Sequence, residues 1–199
     1  MKKMKMRSVR AICVFCASSK AVDGGYHEAA TDLGRRIGRL GIELVYGGAG
    51  IGLMGAVARG VHEEGGRVTG VIPEFFRKKE KEIEYADADE LVVTRDMRER
   101  KAIMDERSDA FIALPGGIGT LEEVMEIMSM KQLGLTNKPL VFINTNGFYN
   151  GVISNLQEMV DLKFAKQSTL DLFAVCPDPQ SALDYILACR LSKPESKWI

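Results

Sequence analysis

Ala110-Phe111-Ile112-Ala113-Leu114-Pro115-Gly116-Gly117-Ile118-Gly119-Thr120-Leu121-Glu122-Glu123 runs from an apolar stretch, through a glycine-rich turn, into a helical pattern that continues as Val124-Met125-Glu126-Ile127-Met128. A buried strand, a glycine turn and a helix start, in that order, make a phosphate-binding geometry. Glycines admit an anion close to the backbone, and the unpaired N–H groups of the first helical turn point at it. A carboxylate beside an anion site points to chemistry, and Glu123 is that carboxylate. The same letters have a second reading, in which Thr120 and Glu123 form a T-x-x-E capping box that needs no ligand.

Outward from this stretch, strand-length apolar runs and helical patterns alternate. The runs are Ala11–Cys16, Ile42–Tyr46, Arg67–Ile72, Glu90–Val93, Ala110–Leu114, Pro139–Ile143 and Leu172–Cys176. The helical patterns are Tyr26–Leu40, Leu53–Glu64, Met97–Arg107, Leu121–Leu133, Tyr149–Leu162 and Pro179–Leu191. Strands apolar on both faces, alternating with helices, predict a Rossmann-like α/β fold: a doubly wound parallel sheet with helices on both faces. No linker or composition break divides the chain, so residues 1–199 read as one nucleotide-binding domain, frayed at 1–8 and 192–199. The charged stretch Arg77-Lys78-Lys79-Glu80-Lys81-Glu82 reads as an exposed loop or short helix. Ligands of such sheets bind beyond the carboxyl ends of the strands, so the segments after strands are the ones to weigh.

After the second strand, Gly50 to Gly55 spells G-x-G-x-x-G and opens a helix. A dinucleotide site of this kind also wants an acid after the next strand, and Glu74 is a loose candidate. The motif follows the second strand where the first is usual, and Gly116-Gly117-x-Gly119 competes with it as the phosphate site. Two such loops on one sheet edge suit a single mononucleotide held between them; tight turns and helix–sheet packing are the alternative use of the glycines. Ser18-Ser19, after the first strand, either caps a helix or binds an anion, and taken alone the cap is favoured. The helix opened by Met97-Arg98-Glu99-Arg100-Lys101 offers cations for phosphate, and spacing does not choose among Arg98, Arg100 and Lys101.

The composition narrows the function. Lys+Arg and Asp+Glu are both 27 among 199 residues, so the net charge is zero and no global footprint for nucleic acid exists. The start, Met1-Lys2-Lys3-Met4-Lys5-Met6-Arg7, looks like the basic region of a signal peptide, but the apolar run after it flows into Ser18-Ser19 and reads as a buried strand. No segment approaches the about 18 apolar residues of a membrane span, and the expected location is the cytoplasm. Cys13 and Cys16 match C-x-x-C, yet on a strand they face opposite sides and read as buried structural thiols. The two histidines, His27 and His62, sit in no metal-ligand spacing. Walker, G-x-S-x-G and H-E-x-x-H motifs are missing from the sequence.

Met97-Arg98-Glu99-Arg100-Lys101 and Pro115-Gly116-Gly117-Ile118-Gly119-Thr120-Leu121-Glu122-Glu123 together resemble the LONELY GUY family of cytokinin riboside 5′-monophosphate phosphoribohydrolases, often labelled lysine decarboxylases. The P-G-G-x-G-T-x-x-E motif matches at every fixed position. In M-H-x-R-K, Arg98 stands where histidine is usual. Phe15-Cys16-Ala17-Ser18-Ser19, Tyr46-Gly47-Gly48, Ile72-Pro73, Gln132-Leu133-Gly134, Lys138-Pro139 and Gly147-Phe148-Tyr149-Asn150 extend the resemblance over nearly the whole chain.

The resemblance implies hydrolysis of the N-glycosidic bond of AMP or a prenylated AMP, releasing free base and ribose 5-phosphate. It makes Arg100 and Glu123 the catalytic pair. It assigns the phosphate to Gly116, Gly117, Gly119 and Thr120, with Lys101 nearby, and further substrate contacts to Ser18, Gly47, Gly48, Glu82 and Ser129. Ser129 replaces a threonine and keeps its hydroxyl. No metal or organic cofactor is required, and a homodimer is implied, for which the Met-rich helix Leu121–Gln132 could furnish an apolar interface. The chemistry suits the residues: cleavage builds positive charge on the ribose, and a carboxylate such as Glu123 can stabilise it, orient the ribose hydroxyls or take a proton from water. Three rivals stand beside this reading. A non-catalytic nucleotide or molybdenum-cofactor carrier on the same fold leaves the Arg100/Glu123 pairing without a purpose. An NAD(P)-dependent oxidoreductase rests on Gly50–Gly55. A decarboxylase needs a pyridoxal-phosphate lysine in a pocket, and no lysine has such a setting.

Overall fold

The computed structural model describes residues 9–79 and 83–189. Its seven strands are β1 (Ala11–Phe15), β2 (Glu43–Tyr46), β3 (Val68–Pro73), β4 (Glu90–Thr94), β5 (Ala110–Ala113), β6 (Leu140–Ile143) and β7 (Ala174–Cys176). The helices are α1 (Gly24–Arg39), α2 (Gly52–Glu63), α3 (Glu74–Lys79), α4 (Met97–Arg107), α5 (Ile118–Gln132), α6 (Asn150–Asp161) and α7 (Pro179–Ala188). The seven strands all pair in parallel, in the order β4-β3-β2-β1-β5-β6-β7. The expected doubly wound α/β sheet is therefore present. The direction of winding reverses between β1 and β5, where such sheets open a crevice.

Alternation along β1 sorts the helices onto the two faces. Ile12, Val14 and Cys16 pack with Leu33 and Ile37 of α1, Val57 and Val61 of α2 and Leu183 and Ile186 of α7. Ala11, Cys13 and Phe15 pack with Met104 of α4, Val124, Ile127 and Met128 of α5 and Leu156 of α6. Cys13 and Cys16 thus sit on opposite faces, both buried and unpaired, as strand geometry requires. The α1–α2 contact is made at glycines: a Cβ on Gly34 or Gly60 would run into the other helix's backbone.

Three expectations change. The Leu172–Cys176 strand is shorter, because Gln167–Leu172 forms a 3-10 turn and pairing begins at Ala174. Ser18-Ser19 caps no helix: α1 starts at Gly24, with Asp23 accepting from the Gly25 N–H, while Ser19 Oγ accepts from Ala21 N–H. The helix in the charged stretch starts earlier than the lysines suggested, at Glu74 directly after β3. No helix among the described residues is long and apolar enough to cross a membrane.

Candidate active site

Backbone bonds draw three post-strand segments together at the carboxyl edge. Ala17, after β1, donates its N–H to Pro115 O at 3.2 Å, and its carbonyl accepts from Leu53 and Met54 at the start of α2. Leu114 N–H returns to Phe15 O, and the buried Tyr149 hydroxyl donates to Leu114 O at 2.6 Å. The Pro115–Thr120 turn is thereby held from β1 on one side and from α6 on the other. A further pair of bonds, Gly50 N–H to Ile83 O and Tyr85 N–H to Gly48 O, lays residues 83–85 against the turn after β2.

Between these segments lies a cavity of about 310 Å3. Ser18, Gly47, Gly117, Gly119, Thr120, Arg100 and Glu123 line it, together with Phe15, Cys16, Met54, Ile72, Phe76, Ile83 and Met97. Helix α5 begins at Ile118, with Gly117 as an N-cap that makes no side-chain bond, so Thr120 lies inside the first turn. The T-x-x-E capping box is not formed, and Glu123 is free for another partner. Leu121 N–H closes on Gly117 O, but among the described residues no protein acceptor meets the amides of Gly117, Gly119 and Thr120. Gly117 and Gly119 have open space where a Cβ would stand; at Gly116 a Cβ would collide with the Thr120 side chain.

Glu123 meets Arg100 instead. Glu123 Oε1 lies 3.1 Å from Arg100 Nη1, and both residues are only 8% exposed. Arg100 Nε donates to Val71 O at 3.0 Å, so the guanidinium reaches from β3 to α5. A Cβ on Gly47 would collide with Arg100 Nη2, which explains a glycine there. Burial pushes the Glu123 carboxyl above the usual glutamate range, and the Arg100 charge pulls it part of the way back. Burial also pushes the Cys16 thiol up, which disfavours the thiolate that a nucleophile on the cavity wall would need.

Of Arg98, Arg100 and Lys101, Arg100 alone lines the cavity. Arg100 and Met104 are the buried residues of that helix, and Met97 joins them on the cavity side. Arg98 is exposed and lines a second cavity, of about 250 Å3, between α4 and α5. Lys101 lines that second cavity too, its ammonium bonded to Glu122 and, at 2.8 Å, to Glu126. Burial works against its charge, but the carboxylates hold it above the ordinary lysine range. Lys101 is thus not a free phosphate ligand in this conformation.

Other expected contacts scatter. Gly48, at φ +81°, packs against Ile72 and Gly70 rather than lining the cavity. Ser129 is exposed on α5 and lines neither cavity. Glu82 lies outside the described residues. Glu74, the acid of the dinucleotide reading, is exposed and paired with Lys78 at 3.0 Å. In α5, Met128 is buried in the core and Met125 and Met130 pack partly against it, so the methionines serve the interior before any interface. Sequence reasoning missed the apolar wall of Phe76, Ile83, Met54 and Met97. For Met97 a signal existed, because Met97, Arg100 and Met104 recur at i, i+3, i+7 and mark the inward stripe of α4.

The comparisons agree on lineage and on fold. The sequence model of a family described as possible lysine decarboxylase matches residues 54–186. A cytokinin riboside 5′-monophosphate phosphoribohydrolase of Arabidopsis thaliana is 42% identical over 179 residues, covering 90% of this chain and 78% of the relative. A probable enzyme of the same name from Oryza sativa subsp. japonica is 41% identical, covering 90% and 71%. Among solved structures, the molybdenum cofactor binding protein of Rippkaea orientalis superposes with a TM-score of 0.68 at 22% identity, over 92% of this chain and 97% of that one. The Moco carrier protein of Chlamydomonas reinhardtii gives 0.67 at 24%, over 90% and 98%. At such identities these structures speak for the fold alone.

Proposed function

The chain belongs to the LONELY GUY family of cytokinin riboside 5′-monophosphate phosphoribohydrolases, which are N-glycosyl hydrolases, and on that premise we propose that it cleaves AMP and prenylated AMP to free base and ribose 5-phosphate. The observation that carries the reading is the buried Arg100–Glu123 pair, 3.1 Å apart, in the same cavity as the unpaired amides of the Gly117–Thr120 turn.

The phosphate sits on the amides of Gly117, Gly119 and Thr120, where the partial positive charge of the α5 N-terminus favours an anion. The ribose then lies over Glu123. As the bond between C1′ and the base nitrogen lengthens, positive charge gathers on the sugar ring and the bonding electron pair leaves with the base. The buried carboxylate stabilises that charge more strongly than it would in bulk water. Water attacks C1′ and Glu123 accepts its proton; the departing base takes a proton from solvent and Glu123 returns its own to solvent, so that one water is consumed for each bond broken. Arg100 orients Glu123 and counters the burial that would neutralise it. Among the described residues no lysine lines the cavity, which favours hydrolysis over pyridoxal-phosphate chemistry. The reading includes a homodimer, supported by the exposure of Leu133 and Leu135 around the end of α5 and tested by sedimentation.

Chromatography of the products after incubation with AMP and with a prenylated AMP tests the proposal. Free adenine or prenyl-adenine with equimolar ribose 5-phosphate is expected, and the ratio of rates names the preferred base. Nucleotide binding with no base released from either would overturn it in favour of a carrier.

A further inference from the structure

Helix α3 places two aromatic residues, Phe75 and Phe76, between Glu74 and the cations Arg77 and Lys78, directly beyond β3. Their ring centroids are 4.3 Å apart, and they are 41% and 42% exposed. Adjacent phenylalanines left half in water forgo the gain of burial, so an occupant that covers them is worth seeking. Phe76 lines the cavity of Arg100 and Glu123, beside Ile72 and Ile83.

The strand order gives the cavity a direction. The glycine turn leads from β5, whereas Phe76 follows β3, and β1 and β2 lie between those strands. Arg100 spans the distance, with Nε on Val71 O of β3 and Nη1 on Glu123 of α5. The sequence of features is therefore anion turn, ion pair, apolar aromatic end. A nucleoside 5′-monophosphate has the same order: phosphate, ribose, flat base, with the scissile bond between the last two. With phosphate on the α5 amides and ribose over Glu123, the base reaches the β3 end.

We propose that Phe76, backed by Phe75, is the stacking platform that recognises the nucleobase, an inference that rests on the reading given under Proposed function. A phenylalanine has no hydrogen-bonding group, so this platform selects a flat π-face and tolerates apolar substituents on it; it does not read the base's polar edge.

The test is equilibrium binding of free adenine and of ribose 5-phosphate to the full chain and to its Phe76→Ala and Phe76→Trp variants. Phe76→Ala is expected to weaken adenine binding by about tenfold to a hundredfold, with ribose 5-phosphate unchanged. Phe76→Trp is expected to retain adenine binding. Unchanged adenine affinity in Phe76→Ala would overturn the assignment, and so would equal losses for both ligands, which would mark general damage to the cavity. Neither ligand requires turnover. Absent base release by the wild type would therefore fault the hydrolase reading, while adenine binding would still decide the role of Phe76.

Discussion

After β2 the chain reads Gly47-Gly48-Ala49-Gly50-Ile51-Gly52, and after β5 it reads Gly116-Gly117-Ile118-Gly119; each turn opens a helix at the carboxyl edge of the sheet. In the first, the amides that open α2 are already used, because Leu53 and Met54 both donate to Ala17 O. Its glycines make room for protein: Gly52 sits at φ +56° against the Ser18 backbone, a Cβ on Gly55 would strike Gly50 O, and one on Gly47 would strike Arg100. In the second, Gly117 and Gly119 face open space, and among the described residues no protein acceptor meets the amides of Gly117, Gly119 and Thr120. A glycine fingerprint thus covers two physical situations, packing and access, and the fate of the helix's first N–H groups separates them.

Substitution by alanine should split the turns in opposite senses. Gly55→Ala forces a methyl into a backbone carbonyl and should cost about 3 kcal/mol, the upper end of ordinary overpacking. The midpoint of thermal unfolding should drop by about 6–12 °C. A midpoint within a degree of wild type would show that the first turn is not packed as described. Gly119→Ala should leave that midpoint unchanged or raise it, since alanine suits a helix better by about 0.4–1 kcal/mol. It should nonetheless raise KM for AMP by about tenfold to a hundredfold, because the methyl occupies the space of the phosphate and disturbs its charge-assisted bonds. A Gly119→Ala enzyme with normal KM would erase the contrast between the turns.

A smaller effect concerns pH. Burial raises the Glu123 carboxyl above the usual glutamate range despite Arg100, so the acid limb of kcat should lie above that of an exposed glutamate. The sign for stability is opposite. The folded state holds this proton more tightly than the unfolded chain, so the contribution is present at acid pH and lost as pH rises through the raised pKa. The unfolding free energy of wild type relative to Glu123→Gln should therefore decline across that window. A difference flat in pH would show that Glu123 titrates as in the unfolded chain.

The two turns also mark what a sequence reveals. The seven strands were legible because their apolar runs are continuous on both faces, as a sheet covered by helices demands. The strand–turn–helix around Gly116 was legible for the same reason. Two limits came from tertiary packing. The occupants of the α2 amides come from Ala17, about 35 residues away, and no local pattern records them. Phe75 and Phe76 precede a run of charges that reads as an exposed loop or short helix, and nothing in that run records that the helix begins at Glu74 and brings Phe76 to the cavity. Lys101 shows a third limit: a cation near a phosphate motif is not free when Glu122 and Glu126 of the neighbouring α5 reach it.

The central claim is that the second turn binds the nucleotide while Glu123 does the chemistry, and Glu123→Gln separates the two. Base release and equilibrium AMP binding should be measured in parallel on this variant and on the wild type. The account predicts a turnover lower by about 10^2 to 10^4-fold, the usual contribution of a positioned acid or base, with AMP affinity nearly unchanged. Near-normal turnover in Glu123→Gln would contradict it.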